Sequence, residues 1–404
     1  MRSLPLLLIL DTSVLSRDIS GARVVAFELA KGWKKLGGNV WIITPYNSLD
    51  KHKEQLFSKV IQISPPVFTH YSFSTSFVSF VFMLRALSSL SKVLRKRSEL
   101  CNSIIFSTSD FISDTAAAFV VKMFSSSATW LAFFYHVTPG PFTRTEKFSR
   151  FLKNMFAYVS QQITLILMKR ADIILVESGF LSHYLSKYLG FKKTKILVAS
   201  GGFYPEAHEP ISTRNKCFDA CFIGRIIDLK GVFDLIQAWK KVVEEFPNAK
   251  LAIIGGGGEE EINKLNNLIL KADLEKNVYY FGFVSEKEKR KLLKASKLFI
   301  LPSYEEGIPI VFYEAMYYAL PVITYYLPTY NDVKNEIFSV KKGSIKDLAK
   351  AIMYFLRNDN LICEFGTKGK KLAEKHSWNE IITYIISCVI DFRRINNFNN
   401  KNSQ

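Results

Sequence analysis

The sequence predicts an α/β protein built from two tandem Rossmann-like, doubly wound domains. The chain opens with an apolar run at residues 6–10, a loop, a helical pattern that ends at Gly37, and a second apolar run at residues 39–44. This β-loop-α-β succession is typical of doubly wound sheets. Residues 217–223 begin the same succession again. With 404 residues, the chain is long enough to bury two separate cores.

Short apolar runs between turn residues predict the other strands of the first half, because buried parallel strands are nearly continuous hydrophobic runs. These runs lie at residues 60–63, 103–107, 129–135 and 195–199. Two long segments, 76–97 and 142–168, instead repeat Phe, Leu and other apolar residues at helical spacing. We therefore expect helices between the strands of this half.

The second half alternates in the same way and is separated from the first by a polar stretch with two prolines. Its remaining strands are predicted at residues 251–254, 278–281, 297–301 and 322–325. The predicted organisation is a first Rossmann-like domain at 1–202, a linker at 203–216, a second Rossmann-like domain at 217–376, a helix at 377–395 that packs back toward the first domain, and a disordered tail at 396–404.

The net charge of +18 is concentrated in the first half. Residues 1–200 hold 25 Lys and Arg against 11 Asp and Glu, whereas residues 201–404 hold 29 against 25. The first half is therefore the one expected to meet an anionic surface. The two basic, Phe-rich segments described above are candidates for helices that lie in a membrane interface, the alternative being that both pack into the core.

The cysteines and the lengths of the apolar runs argue against a disulfide-stabilised protein and against a membrane-spanning protein. The five cysteines are scattered, which predicts no disulfide framework and fits a reducing compartment. Cys217 and Cys221 have no second pair nearby, so we expect no metal between them. No uninterrupted apolar stretch is long enough to span a bilayer, and the run at residues 4–10 is interpreted as a strand and not a signal peptide.

Two carboxylates follow a predicted buried strand of the second half. Gly307 predicts a turn after that strand, and Pro309 can occupy the first position of a new helix. Glu306 then lies in the loop and Glu314 in the helix. Loops at the carboxyl ends of strands bind ligands in open α/β sheets, and carboxylates accept hydrogen bonds from polyol hydroxyls. A solvated charged face is the alternative.

A second motif lies about eighty residues earlier, between a predicted strand and a predicted helix. It consists of Gly224, Arg225, Lys230 and Gly231. Backbone amides at a helix start favour an anion, Arg225 offers a planar fork to phosphate oxygens, and Lys230 adds a point charge. The pattern predicts a phosphate site, although a surface loop with two ordinary cations would have the same composition.

Together the two motifs resemble those of the retaining glycosyltransferases of family 4, which have the GT-B fold of two Rossmann-like domains facing across a cleft. Residues 306–316 match E-G-x-P-x-x-x-x-E-A-M, and residues 224–231 match G-R-x-x-x-x-K-G. The resemblance implies that Glu306 holds the donor sugar and that Glu314 holds the nucleotide ribose. It also implies that the first domain, residues 1–202, binds the acceptor and that the second domain, residues 217–376, binds the nucleotide sugar.

The same resemblance extends to residues outside these motifs. It implies that His136, after a predicted strand, lies beside the donor sugar, although a His that only caps a strand is the alternative. The implied catalytic set is His136, Arg225, Lys230 and Glu306. The implied donor-binding set is Gly21, Gly224, Arg225, Lys230, Phe283, Val284, Glu306, Gly307, Ile308, Pro309 and Glu314.

Other stretches leave the interpretation open or depart from the family. Residues 255–258 are four consecutive glycines, which suit either a turn close to the nucleotide or a tight turn without a ligand. The family usually has a Gly before Pro-Val-Ile, where Ala319 and Leu320 stand here, and a Gly-rich loop where residues 326–332 stand. The donor identity is therefore left open.

The resulting functional prediction is a retaining hexosyltransferase that moves a sugar from a nucleotide-sugar donor to a lipid-linked acceptor or a cell-surface glycan precursor. No Asp-x-Asp at a strand end and no cluster with metal spacing is found, so the reaction is predicted to need neither metal nor cofactor. We expect a cytoplasmic protein, peripheral on the cytoplasmic face of the membrane. A nucleotide-sugar epimerase, a glycan synthase of the same fold and a basic nucleic-acid-binding protein are alternatives, but no recognised nucleic-acid module is present.

Overall fold

The chain forms two compact units in the computed structural model. The first unit joins Met1–Ser200 to Asn379–Gln404, and the second is Gly201–Trp378. The structure describes residues 4–13, 21–67, 75–135, 137–138, 140, 148–187, 190–191, 194–199, 201–205 and 216–402.

Parallel strands form the sheet of the first unit. They are β1 (Leu7–Leu10), β2 (Val40–Pro45), β3 (Lys59–Ile63), β4 (Ile104–Ser107), β5 (Thr129–Phe134), β6 (Ile173–Val176) and β7 (Lys195–Val198). The sheet order is β3-β2-β1-β4-β5-β6-β7. β1, β4, β5 and β6 are buried along their whole length, which explains why each is an uninterrupted apolar run in the sequence.

Helices connect these strands, because neighbouring parallel strands need crossover connections. They are α1 (Gly21–Lys35), α2 (Lys51–Glu54), α3 (Thr75–Arg95), α4 (Arg97–Leu100), α5 (Ile112–Phe124), α6 (Phe148–Met168) and α7 (Gly179–Lys187). The order of connection reverses after β3, since the chain passes from β1 to β2 and β3 and then returns to β4 beside β1. Under the right-handed crossover rule this puts α3, α5 and α6 on one face of the sheet.

The second unit repeats this architecture with a smaller sheet. Its strands are β8 (Phe218–Ile223), β9 (Leu251–Ile254), β10 (Val278–Gly282), β11 (Ser296–Ile300), β12 (Val322–Tyr325) and β13 (Ile337–Val340). All pairings are parallel, in the order β10-β9-β8-β11-β12-β13. Two parallel sheets joined by helices confirm the predicted fold class of two Rossmann-like domains.

The helices of the second unit are amphipathic and pack on this sheet. They are α8 (Val232–Glu245), α9 (Glu259–Lys271), α10 (Glu286–Lys294), α11 (Ile310–Tyr317), α12 (Ile345–Leu356) and α13 (Asp359–Ala373). In α8, Val232, Leu235, Ile236 and Trp239 occupy positions i, i+3, i+4 and i+7 and are fully buried. This is the spacing of one face of a helix.

The last helix, α14 (Trp378–Asn402), packs on the first unit beyond Trp378. An added Cβ at Gly32 of α1 would lie 2.4 Å from Cγ2 of Ile382, so the two helices meet closely there. The Arg393 guanidinium donates to the carbonyl of Ser103 and to Oγ1 of Thr129, at 3.2 and 2.9 Å. These contacts attach α14 to the amino ends of the central strands β4 and β5.

The Asn-rich tail differs from what its composition predicts. We predicted disorder over residues 396–404, whereas the structure continues α14 as far as Asn402. Extending an existing helix adds one hydrogen bond for each residue that is fixed, without the cost of starting a new helix. Composition alone does not reveal that a packed helix precedes the segment. None of the helices that the structure describes is long and apolar enough to span a bilayer.

Candidate active site

The two sequence motifs meet at the point where the second sheet reverses its order. From β8 the chain moves outward to β9 and β10 and then returns to β11, which lies directly beside β8. Loops that leave the carboxyl ends of these neighbouring strands therefore emerge side by side, and such a switch point is where ligands bind in open α/β sheets. One loop carries Arg225 and Lys230, and the other carries Glu306.

The loop after β8 is shaped by a glycine. A short 3₁₀ turn, Asp228–Lys230, ends at Gly231, which has φ of +68°. A Cβ on Gly231 would lie 2.0 Å from the carbonyl oxygen of Pro302 in the neighbouring loop. Only glycine allows both this conformation and this close approach. Helix α8 begins at the next residue, so its unpaired amides lie at the end of the loop.

The loop after β11 is bound to the loop after β8. The amide of Tyr304 donates to the carbonyl of Leu229 over 2.9 Å. The Lys230 ammonium forms an ion pair with Oε1 of Glu306, and both side chains are largely but not fully buried. The sequence placed these two residues in separate motifs for separate parts of a donor; the structure shows that they are direct partners.

Two hydroxyl groups further position the Glu306 loop. Oγ of Ser303 donates to Oε1 of Glu306 over 3.2 Å. Oγ1 of Thr329 donates to the Glu306 backbone carbonyl over 2.9 Å. Thr329 belongs to the stretch at residues 326–332 that departs from the family pattern, and this contact identifies one function of that stretch. It supports the carboxylate loop from the side of β12.

A second carboxylate–lysine pair forms nearby. Glu314 lies in α11, and its Oε1 is 2.8 Å from Nζ of Lys289 in α10. Lys289 also pairs with Glu286 at 2.9 Å. Burial of the Lys289 ammonium lowers its pKa, but the Glu314 and Glu286 carboxylates together more than offset this and the pKa is raised. The ammonium is therefore held in its charged form beside Glu314.

The helix that carries Glu314 starts one residue later than expected. We predicted Pro309 as the first helical residue, whereas it precedes α11 in an extended conformation, with ψ of 133°. The residue before a proline is pushed away from the helical region, and Pro309 itself fits a cap as well as a first turn. Gly307 and Ile308 are buried beneath this turn.

A half-buried carboxylate of α8 anchors the Glu306 loop to that helix. Oδ2 of Asp234 accepts hydrogen bonds from the hydroxyls of Tyr304, at 2.5 Å, and Tyr325, at 2.8 Å. The two rings also meet edge to face, with centroids 5.4 Å apart. Burial, and then the neighbouring Asp234 carboxylate, raises the pKa of both tyrosines well above the ordinary value of 10. Both phenols therefore stay protonated and act as donors.

The four glycines after β9 are explained by close packing. Gly255 has φ of +133°, and an added Cβ would lie 1.9 Å from the carbonyl oxygen of Gly224. A Cβ on Gly256 would lie 2.0 Å from the Phe283 ring, which is 71% exposed. The glycines thus keep Gly224 and Phe283 close to this turn, while Val284 is half-buried and packs on the core. This favours the tight-turn interpretation without requiring a ligand.

Five of the predicted residues of the second unit lie together in the structure. Gly224, Arg225, Lys230, Glu306 and Phe283 all lie at the carboxyl edge of the second sheet. Arg225 is exposed in the loop after β8. Gly21 opens α1 in the first unit. His136, which is predicted to lie beside the donor sugar, is outside the described residues.

Sequence reasoning missed the residues that hold the motifs in place. Lys289, Asp234 and Thr329 lie in stretches whose composition resembles that of other solvated helices and loops. Only the fold shows that each meets a motif residue. Among the described residues no three His, Cys, Asp or Glu side chains converge as a metal site would require.

Family models match both halves of the chain. The model for glycosyl transferases group 1 matches residues 204–372, and the model for glycosyltransferase family 4 matches residues 19–206. An uncharacterized glycosyltransferase of Methanocaldococcus jannaschii is 35% identical over 166 residues, which are 39% of this chain and 40% of that protein. The match thus spans well under two thirds of the length of that relative.

Two further proteins are similar over nearly the whole chain. The alpha-monoglucosyldiacylglycerol synthase of Acholeplasma laidlawii is 22% identical, with 95% of this chain and 96% of that protein covered. The Anabaena protein HepE, solved in complex with UDP and glucose, superposes with a TM-score of 0.69 at 17% identity, with 95% of this chain and 98% of that chain covered. With both family models matched and the switch-point motifs joined as described, the chain belongs to the glycosyltransferases of group 1, family 4, and has the GT-B fold.

Proposed function

We propose that this protein transfers a sugar from a nucleotide-sugar donor to an acceptor, with retention of the anomeric configuration and without a metal ion. The observation that carries the proposal is the pairing of Lys230 with Glu306 at the switch point. A cation suited to a diphosphate and a carboxylate suited to sugar hydroxyls lie in contact there. Neighbouring groups of these two kinds suit a sugar diphosphate, because only one bridging oxygen separates its β-phosphate from its sugar ring.

In the proposed reaction the bond between the anomeric carbon and the β-phosphate oxygen breaks while the acceptor oxygen forms a bond to the same carbon. Negative charge develops on the departing diphosphate. Arg225, Lys230 and the first amides of α8 stabilise this charge, and fixed donors of this kind act most strongly on charge that appears in the transition state. The departing phosphate takes the proton from the acceptor hydroxyl, so that no protein carboxylate nucleophile is needed.

Donor binding is proposed to open the Lys230–Glu306 pair. The diphosphate replaces the carboxylate on Lys230, and Glu306 then accepts hydrogen bonds from the sugar hydroxyls. Glu314 accepts from the ribose, since its paired Lys289 leaves one carboxylate oxygen available to a hydroxyl. The roles of His136 and Gly21 stay predictions from the family resemblance.

The proposed donor and acceptor classes follow from similar proteins. HepE is solved with UDP and glucose, and the Acholeplasma relative is named for a glycolipid product. We propose a UDP-sugar as donor and a lipid-linked acceptor or glycan precursor, bound by the first unit. These similarities support the choice of substrates to test.

The experiment is a panel of UDP-, GDP- and ADP-sugars, assayed for thermal stabilisation and then for transfer to lipid and glycan acceptors in EDTA. A ligand at about 100 times its dissociation constant adds about 2.7 kcal/mol to the free energy of unfolding. We expect one nucleotide sugar to stabilise the protein, and we expect transfer to continue in EDTA. An α-linked donor should give an α-linked product. An inverted product, or activity that EDTA abolishes, would contradict the mechanism.

The same panel separates the alternatives. An epimerase would convert the donor sugar without any acceptor. A nucleic-acid-binding protein would retard oligonucleotides in a gel at physiological salt and would show no response to nucleotide sugars.

A further inference from the structure

Three helices of the first unit form one layer on the first sheet. α3 packs against α5, and α5 packs against α6. Their inward residues are part of the core: Val81 and Val93 of α3, Val121 of α5 and Leu165 of α6 are buried. Packing of the layer on the sheet therefore explains the inward apolar residues of these helices.

The outward side of the same layer is also apolar. Its exposed residues, each 42% to 65% accessible, are Phe80, Met83, Leu87 and Leu94 of α3, Met123 of α5, and Val159, Ile163 and Ile166 of α6. Within α3 and α6 they recur at intervals of three, four or seven, which places them on one side of each helix. We call these eight residues the apolar face.

The helices that carry the apolar face lack the acidic side chains that a water-facing helix normally has. α3 and α6 contain no Asp or Glu, and α5 contains only Asp114. Asp114 is fully buried and accepts hydrogen bonds from the Thr12 amide at 2.7 Å and the Ser109 hydroxyl at 2.5 Å. No carboxylate therefore projects outward from these helices. A soluble helix face would be expected to alternate charged and polar side chains.

Cations border the apolar face at one end. Arg95 and Arg97 lie at the end of α3 and in α4, and Lys169 and Arg170 directly follow α6; all four are exposed. Both helices run opposite to the parallel strands that they connect, so their carboxyl ends lie at the same edge of the sheet. We call these four residues the basic rim.

A cavity opens beside the basic rim. Its volume is about 510 Å³, and it is lined by Lys92, Arg95, Lys96 and Tyr46 together with edge-strand residues of β3. Glu99, in the adjoining α4, is already paired with Lys96 at 2.6 Å. Cations thus outnumber acids at this end of the layer.

We propose that the apolar face and the basic rim form a docking surface for an anionic membrane. Apolar side chains without neighbouring carboxylates suit the acyl boundary, and the rim suits phosphate headgroups beside it. A second copy of the chain is a poorer occupant, because it would bring the same positive rim and no acidic surface of its own from these helices. Membrane docking in this form needs no spanning helix.

The inference goes beyond the proposed function, since it concerns where the enzyme works and not what it transfers. Its test measures binding alone. The full-length protein is sedimented with vesicles of phosphatidylcholine and with vesicles containing phosphatidylglycerol, at low and high salt. We expect binding to the anionic vesicles, weakened by salt, and little binding to phosphatidylcholine alone.

Two variants test the two parts of the surface. Leu87→Gln with Ile163→Gln removes apolar contacts, and Arg95→Gln with Lys169→Gln and Arg170→Gln removes the rim. Each should weaken partition into anionic vesicles at least tenfold. The control for the apolar variant is Leu270→Gln, which changes an equally exposed leucine of α9. The control for the rim variant is Lys240→Gln with Lys241→Gln and Lys271→Gln, which changes three exposed cations of the second unit. The controls should bind like the parent.

Several results would overturn the proposal. One is that the protein does not bind anionic vesicles at low salt. Another is that the control variants lose as much vesicle binding as the test variants, which would indicate unspecific attraction. A concentration-dependent dimer that Leu87→Gln with Ile163→Gln abolishes would identify a second copy as the occupant.

Discussion

Lys230 and Glu306 form an ion pair that joins the loop after β8 to the loop after β11. Seventy-six residues separate them in sequence, but β8 and β11 are hydrogen-bonded neighbours. The pair joins two motifs that are proposed to bind different parts of the donor. Changing one residue therefore also changes the surroundings of the other.

The first prediction is that these two residues are energetically coupled. Glu306→Gln and Lys230→Ala should each lower kcat/KM at least tenfold, about 1.4 kcal/mol of transition-state stabilisation. The double variant should lose less than the sum of the two, because partners in direct contact are not additive. Steady-state kinetics of the four proteins in a double-mutant cycle measures this. Glu305→Gln is the control and should keep near-parent activity; strict additivity would contradict the coupling.

The second prediction concerns Glu314. Glu314→Gln should reduce transfer at least about tenfold, since a neutral amide accepts ribose hydroxyls less strongly than a carboxylate does. It also leaves the Lys289 ammonium without its closest partner, so that the free energy of unfolding should fall as well. Kinetics and urea denaturation separate the two effects. A parent-like kcat/KM in this variant would refute a role of Glu314 in donor binding.

The third prediction concerns Arg225, which is exposed in the loop after β8. If it stabilises charge that develops on the leaving diphosphate, Arg225→Ala should lower kcat by more than it weakens binding of the bare nucleoside. Calorimetry with the nucleoside and single-turnover kinetics give the two quantities. Lys240→Ala, which removes an exposed cation of α8, is the control. An equal loss of both quantities would place Arg225 away from the reacting phosphate.

The fourth prediction compares the two tyrosines that share Asp234. Tyr304→Phe and Tyr325→Phe each remove one hydrogen bond to the same carboxylate, so both should lower the free energy of unfolding by about 1–3 kcal/mol. Only Tyr304 lies in the loop with Glu306, and only its variant should also raise KM for the donor. Equal KM values in the two variants would show that this contact stabilises the unit without positioning the loop.

The fifth prediction concerns Gly231. Gly231→Ala combines a strained positive φ with a Cβ only 2.0 Å from the Pro302 carbonyl oxygen, so the two loops must separate. Gly37→Ala is the matched control, because Gly37 also has a positive φ, of +81°, but its Cβ would meet no described atom within 4 Å. We expect Gly37→Ala to cost on the order of 1 kcal/mol and Gly231→Ala clearly more, as measured by urea denaturation. Similar losses would mean that the Pro302 contact relaxes freely.

What the sequence determined by itself was local. The apolar runs at β1, β4 and β5 predicted buried parallel strands, because both faces of such a strand must be hydrophobic. The turn and helix around Glu306 and Glu314 were predicted within a residue or two, since Gly and Pro restrict the backbone directly. The spacing within a motif involves only residues that are close in the sequence, so it can be read from the sequence directly.

Tertiary structure alone decided which distant residues meet. Nothing in the sequence indicates that Lys289 pairs with Glu314, that Thr329 supports Glu306, or that Asp234 accepts from two tyrosines. Each contact depends on the order of the strands and on how each helix is rotated on the sheet. Helical period likewise could not show whether Leu87 and Ile163 face the core or the solvent, because an apolar stripe has the same spacing in either case. Packing of α3 and α6 against α5 fixes that orientation.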